Sequence, residues 1–413
     1  MKTYHIILLI ICTIFVIGTI VCEVIRRKQY RPSIQLTKLK QPLSIKNAKS
    51  IKTIDGYTNI SRLIPQLLHD IDHAKEYVLF QFFKFENDSL GIELQEALIK
   101  KVRDGVPVFV IYDAFPGAMV DYSFFYKMKL YGVEVHRYNP VLPLPSIYSN
   151  NRNHRKIVVI DGQIGYIGGM NIAQRYLTGV HGGPWRDTHL RITGIACHDL
   201  QRVFFDDWNK QRKPHEVFPI LIEGANDNPS DSAVQIIASD PQDSSSPILQ
   251  AIIQMAESAQ QYLYIQSPYF LPTKSLQTAF CQAAKRGVDV RLMIPKRGDR
   301  SIFISYVSRS YLQPLLEAGV KVFFHNIGFI HAKMVVVDNK ITTVGSANID
   351  FRSFTQNSEA NAFVYDEAFA RYAQKIFIDD MYNCRMIPQD WWQKRSFKER
   401  LLQIIVKPFA YIM

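Results

Sequence analysis

Cysteine is scarce: five residues in 413, odd in number and scattered at Cys12, Cys22, Cys197, Cys281 and Cys384 with no C-x-x-C pair. That spacing excludes a disulfide scaffold and argues against a structural zinc site. Low-complexity sequence is absent as well. With 47% hydrophobic and 21% charged residues, and 20 each of Gly and Pro, the chain is neither collagen-like nor broadly disordered. Acidic residues are missing from one stretch altogether, because residues 26–52 hold nine Lys or Arg and no Asp or Glu. The last 21 residues carry a further surplus of four positive charges. These two ends account for the formal net charge of +12 and leave the middle of the chain nearly neutral. A general nucleic-acid-binding surface would spread its charge differently, so nucleic acid is not the expected partner.

What the chain does have at its start is an apolar run. From Thr3 to Cys22 no residue is formally charged, and Ile, Leu, Val and Phe dominate. Twenty helical residues span about 30 Å, the thickness of a bilayer's hydrocarbon core. Residues 1–25 therefore read as a single transmembrane anchor. A secretory signal peptide is the alternative, but no small-x-small cleavage site is evident. The basic segment 26–52 would then hold the remainder on the cytoplasmic side of the cell membrane, against anionic lipids. At the other end, residues 389–413 read as a basic amphipathic segment. Ser396 and Glu399 have capping-box spacing, and Phe397, Leu401, Ile404 and Ile405 share a helical face. The pair Trp391 and Trp392 tilts this segment toward a membrane surface rather than a protein core.

The intervening length suits two globular units, and the sequence repeats itself. Glu76 to Gln81, the Gly105-Val106 strand ending at Asp113, and Gly132-Val133 recur in order as Gln261 to Gln266, the Gly287-Val288 strand ending at Ile294, and Gly319-Val320. Helical stretches, Leu90 to Arg103 and Ser275 to Lys285, alternate with these strands. The pattern predicts a duplicated α/β fold in which each half is an α/β/α sandwich with largely parallel pairing, the halves being related by a pseudo-twofold axis. Boundaries fall at 53–210 for the first half, 211–232 for a linker and 233–388 for the second half. The first half alone has a long proline-containing loop, Asn139 to Asn153.

Each half carries one further signature. The first copy is His154-x-Lys156-x4-Asp161-x6-Gly168-Gly169-x-Asn171, and the second is His331-x-Lys333-x4-Asp338-x6-Gly345-Ser346-x-Asn348. Even with any basic and any acidic residue allowed, chance supplies only about 0.12 His-x-basic-x4-acidic matches in such a chain. The apolar runs Ile157 to Ile160 and Met334 to Val337 read as central strands, on which residues i and i+2 face the same way, so His and Lys share a face. Asp161-Gly162 and Asp338-Asn339 are turn dipeptides that return the chain toward Asn171 and Asn348. By parity the two aspartates point away from the His/Lys face, toward a role in the turn. Two imidazoles, two ammonium groups and two amides would then converge on one phosphoryl group, one imidazole attacking phosphorus and the other protonating the leaving oxygen.

These paired motifs resemble those of the phospholipase D superfamily. The likeness runs from about Thr53 to Cys384. Tyr112-Asp113, Trp185-Arg186-Asp187-Thr188-His189 and Ser267-Pro268-Tyr269-Phe270-Leu271-Pro272, with the N-terminal anchor, are similar to bacterial cardiolipin synthases. The resemblance implies catalytic His154, Lys156, Asp161, His331, Lys333 and Asp338, with His154 the nucleophile and His331 the general acid and then base. It also implies Asn171, Ser346 and Asn348 at the phosphate, and Glu359 and Asp187 as orienting acids. The implied partners are phosphatidylglycerol and anionic membrane lipids, with no metal and no other cofactor. Gly169 departs from the family pattern by lacking the hydroxyl that Ser346 supplies. His136, His181, His189 and His325 lack ligand spacing and read as surface or packing residues. The aromatic clusters Phe80 to Phe85 and Tyr122 to Tyr126 read mostly as core, and Arg352 as a headgroup contact or an ion-pair partner.

Overall fold

The computed structural model describes residues 42–139, 151–210, 232–241, 243, 246–299 and 302–406. The expected anchor 1–25, most of the linker and the tip of the proline loop lie outside these residues. Among the described residues no helix is long and apolar enough to cross a membrane.

The first half is built on seven strands: β1 (Thr53–Tyr57), β2 (Val78–Phe82), β3 (Val108–Asp113), β4 (Glu134–Tyr138), β5 (Lys156–Ile160), β6 (Ile164–Gly168) and β7 (His189–Thr193). They lie in the order β1-β7-β6-β5-β2-β3-β4. The second half repeats the set as β8 (Ala233–Ser239), β9 (Tyr262–Gln266), β10 (Asp289–Pro295), β11 (Lys321–His325), β12 (Met334–Val337), β13 (Ile341–Gly345) and β14 (Asn357–Tyr365). Their order is β8-β14-β13-β12-β9-β10-β11, strand for strand the same.

Pairing is mixed rather than largely parallel, which corrects the expectation from the alternating pattern. Among the fourteen strands just named, only β2-β3-β4 and β9-β10-β11 pair in parallel, the first crossover of each set running through the helix Ser89–Arg103 or Lys274–Lys285. The other pairs are antiparallel, because the turn at Asp161 and its counterpart at Asp338 fold β5 onto β6 and β12 onto β13. Both aspartates adopt positive φ, near +51°, and their carboxylates leave the sheet surface. Asp161 accepts the backbone N–H groups of Lys75, Glu76 and Tyr77 at 2.8 to 2.9 Å, and Asp338 those of Gln260, Gln261 and Tyr262 at 2.7 to 2.8 Å. Each therefore ties its hairpin to the start of the neighbouring central strand.

Alternation along β5 and β12 divides the core. Ile157, Val159, Met334 and Val336 face a shared cluster between the halves, where helices Cys197–Asn209 and Glu367–Met381 also pack. Val158 and Ile160 face an outer core of the first half, and Val335 and Val337 one of the second. Strands buried on both faces are what their uninterrupted apolar runs encode.

Two segments fall differently from the sequence expectation. Lys49–Ser50 forms an edge strand on β8, so the end of the basic segment joins the second-half sheet. Trp391 and Trp392 pack against the second-half core, and the Arg395 guanidinium lies 3.1 Å from the centre of the Trp392 ring. The Trp pair is thus half-buried against protein.

Candidate active site

Two pairs of very short parallel strands stitch the halves together just ahead of the motif histidines. Arg152–Asn153 pairs with Asn357–Ser358, and Trp185–Arg186 pairs with Phe329–Ile330. The ladders continue one residue further, the His154 N–H donating to Ser358 O at 2.9 Å and the His331 N–H to Arg186 O at 2.6 Å. Each histidine is thus laid beside the acidic residue of the opposite half.

The side chains complete that crossing. His154 Nδ1 lies 3.1 Å from both carboxylate oxygens of Glu359, and His331 Nδ1 lies 2.6 Å from Asp187 Oδ2. An ionised carboxylate only accepts, so Nδ1 of His154 carries the proton and Nε2 keeps its lone pair. Glu359 is fully buried and also accepts from Ser346 Oγ and from Asn357 Nδ2. Asp187 accepts the Thr188 N–H at 2.7 Å.

Both imidazoles line one cavity of about 650 Å³, together with Asn171, Asn348, Asn357, Arg152, Arg175 and Arg352. Phe83 meets the His154 ring edge-on at 4.9 Å, and Trp185 lies 5.1 Å from the His331 ring. The motif lysines sit beneath the wall, almost wholly buried. Lys156 donates to its own motif's His154 O. Lys333 donates to His331 O at 2.5 Å, and its ammonium also lies 2.8 and 3.1 Å from the two ring nitrogens of His331.

Burial dominates the electrostatics. It pushes His154 down to about 4, with Glu359 pulling the other way and the two lysines adding to the fall. His331 also falls to about 4, through burial and Lys333, against Asp187. Both rings are therefore neutral at pH 7. Burial brings Lys333 down to about 8 and Lys156 well below its ordinary value, each against the pull of Asp187 and Glu359. Burial would raise the two acids, but Lys333 and His331 hold Asp187 below its usual range, and His154 and Lys156 do the same for Glu359.

Three residues named from sequence stand elsewhere. Asp161 and Asp338 belong to the turns and are removed from the catalytic set, their carboxylates being occupied by backbone amides. Ser346 is not on the cavity wall; its hydroxyl donates to Glu359 and accepts the Ala360 N–H, so it supports the carboxylate instead of a phosphate. Sequence reasoning passed over Arg155, which is buried between His154 and Lys156. Its guanidinium meets Asp207 at 2.5 Å and reaches into the second half to Glu359 O, Ser239 O and Asp240. Its signal was a charge at the mouth of an otherwise apolar strand.

With this geometry in place, comparison with known proteins is informative. A family model described as "Cardiolipin synthase, PLD-like domain" matches residues 67–181 and 252–381. Cardiolipin synthase 1 of Staphylococcus aureus (strain COL) is 39% identical over 359 residues, covering 85% of this chain and 73% of the relative. Cardiolipin synthase 2 of the same strain is 38% identical over 389 residues, covering 90% and 78%. Among solved structures, phosphatidylserine synthase of Haemophilus influenzae Rd KW20 shares the fold, with a TM-score of 0.68 at 16% identity over 88% of this chain and 94% of that one.

Proposed function

The chain belongs to the cardiolipin synthase family of phospholipase D-like proteins, and from that premise we propose that it joins two phosphatidylglycerol molecules into cardiolipin with release of glycerol. It is a phosphatidyltransferase, and a phosphatidyl group is carried on His154 between the two half-reactions. The reading is carried by the two imidazoles on one cavity wall, each held at Nδ1 by a carboxylate of the other half.

In the first half-reaction the Nε2 lone pair of His154 attacks phosphorus, the bond to the headgroup glycerol breaks, and the imidazolium of His331 gives its proton to the departing oxygen. His331 gains that proton as the anionic phosphodiester enters, because a nearby negative charge favours the charged ring. In the second, His331 takes a proton from a headgroup hydroxyl of the next phosphatidylglycerol, the new O–P bond forms, and His154 leaves neutral. Asn171 and Asn348 face the phosphoryl oxygens from the wall, while Lys333, and Lys156 once the anionic phosphodiester favours its charged form, supply positive charge beneath it. The exchange trades one phosphodiester for another, so loss of glycerol gives the direction.

The apolar run and the basic segment support a reading in which the enzyme sits at the cell membrane with its catalytic halves on the cytoplasmic side. Protease access in right-side-out against inverted vesicles tests this orientation. Purified full chain with labelled phosphatidylglycerol should yield cardiolipin and free glycerol in equal amounts. Phosphatidic acid without cardiolipin would show water to be the acceptor and overturn the reading.

A further inference from the structure

The cavity wall does not stop at its mouth. Phe115, Pro116, Met119 and Val120 line it on the first-half side, and from them an apolar stripe continues onto the outer face of the helix Tyr122–Leu130. That helix buries Phe124, Phe125 and Met128, as an amphipathic helix should, yet its outer face carries Tyr122, Tyr126 and Leu130 one turn apart. Met119 is 86% exposed, Tyr122 76% and Leu130 66%, while Phe115 and Tyr126 are also exposed. The sequence reads this aromatic cluster mostly as core, with an acyl-chain entrance as the alternative for some of it; the structure turns Tyr122 and Tyr126 outward. Tyr122 and Tyr126 stack on each other with ring centres 5.7 Å apart.

We propose that this stripe is the face by which the enzyme sits on an anionic lipid surface, so that substrates slide from the bilayer plane into the cavity. The inference rests on the phospholipid reading above. Clustered exposed apolar surface marks an interaction site, and here Phe115 and Met119 belong both to it and to the wall that holds the reacting histidines. A cavity of about 650 Å³ is of the size that holds a drug-like ligand, so it accommodates headgroups while diacyl tails stay outside, where only an apolar phase suits them. The rim's charges match an anionic surface. Lys129 is exposed on the same helix, and Lys296 and Arg297 are exposed beside the wall residue Asp299 on the second-half side. The acids that line the cavity are engaged within the protein: Asp121 accepts the Ser123 N–H, Glu86 meets Arg175, Asp88 accepts the Gly91 and Gln174 N–H groups, Asp299 accepts from the Tyr269 hydroxyl, and Asp350 accepts the Ser353 N–H. Tyrosine, with an apolar ring and a polar tip, is suited to such an interface.

The test uses the full chain and two forms of one substrate, phosphatidylglycerol in vesicles and a short-chain phosphatidylglycerol dispersed as monomers. The double variant Tyr122→Asp/Leu130→Asp changes two exposed residues that are not on the cavity wall. Vesicle turnover should fall about tenfold or more, since interfacial binding follows buried apolar area and attraction to anionic lipid, while monomer turnover stays within about twofold of wild type. Tyr382→Asp, an equally exposed aromatic away from the cavity, should change neither. Unchanged vesicle turnover, or equal loss on both substrates, would overturn the docking face. So would a wild-type dimer that the double variant dissociates, because the stripe would then be a contact between copies. Wild-type enzyme that makes no cardiolipin from either form would instead refute the functional reading on which the inference rests.

Discussion

The two halves share a strand order and a turn device but differ where they meet the chemistry. The first half supplies Asp187 to His331, with Gly169 beside it; the second supplies the longer Glu359 to His154, with Ser346 beside it. A Cβ on Gly169 would lie 2.1 Å from Asp187 Oδ1, so the short carboxylate and the bare glycine require each other. Glu359 has one more methylene, leaves room for a side chain, and uses it, since the Ser346 hydroxyl donates to it. The lysines differ too, with Lys333 against its own imidazole and Lys156 on the His154 carbonyl, 5.4 Å from the centre of the Phe83 ring. A duplicated scaffold thus presents two imidazoles in unequal settings, as a nucleophile and a proton carrier require.

Several substitutions would break or sharpen this comparison, beginning with the largest effect. His154→Gln and His331→Gln should each cut kcat on phosphatidylglycerol by on the order of 10⁴ or more, because neither half has a complete site. Residual turnover near wild type in either variant would mean that the halves act separately. Exchanging the small residues should be unequal. Gly169→Ser should displace Asp187 and lower kcat about 100-fold, whereas Ser346→Gly removes one hydrogen bond to a charged acceptor and should cost about tenfold. Equal losses would contradict the steric account.

The turn aspartates should behave alike in both halves. Asp161→Asn and Asp338→Asn should each lower stability by about 2 kcal/mol, read as Tm, while activity per folded molecule is retained. The smallest expected effect concerns His189, which pairs with Gly168 where Asn361 pairs with Gly345. Asn361 is satisfied by the Ala347 N–H and by Thr343, but among the described residues neither ring nitrogen of His189 has a partner. Burial pushes His189 down to about 3, so the unfolded chain binds its proton first. Its stabilising contribution is present above the unfolded value of about 6.5 and is lost as pH falls toward the folded one, at about 1.4 kcal/mol per pH unit. His189→Asn should leave Tm near pH 7 almost unchanged and flatten the acid slope of the unfolding free energy by that amount.

Much of this was legible in the sequence because it is periodic. Duplication, the His-x-Lys strands and the turn aspartates follow from spacing and parity. The crossing of acids between halves was not legible, since two-residue strands such as Arg152–Asn153 have no period to read. Mixed pairing was missed because strand–helix alternation reports only the three parallel strands of each half, while the hairpins supply the antiparallel remainder. Tyr122 and Tyr126 misled for a related reason: aromatic content signals burial only when a partner covers the face.

The central claim is that a single cavity uses His154 as nucleophile and His331 as proton carrier. Quenching the enzyme in alkaline denaturant, which spares an acid-labile P–N bond, during turnover of ³²P-labelled phosphatidylglycerol, followed by peptide mapping at alkaline pH, addresses it directly. The label should be found on His154, in greater amount in His331→Gln if the second half-reaction is slowed more than the first. Label on His331, or on neither histidine, would contradict the account.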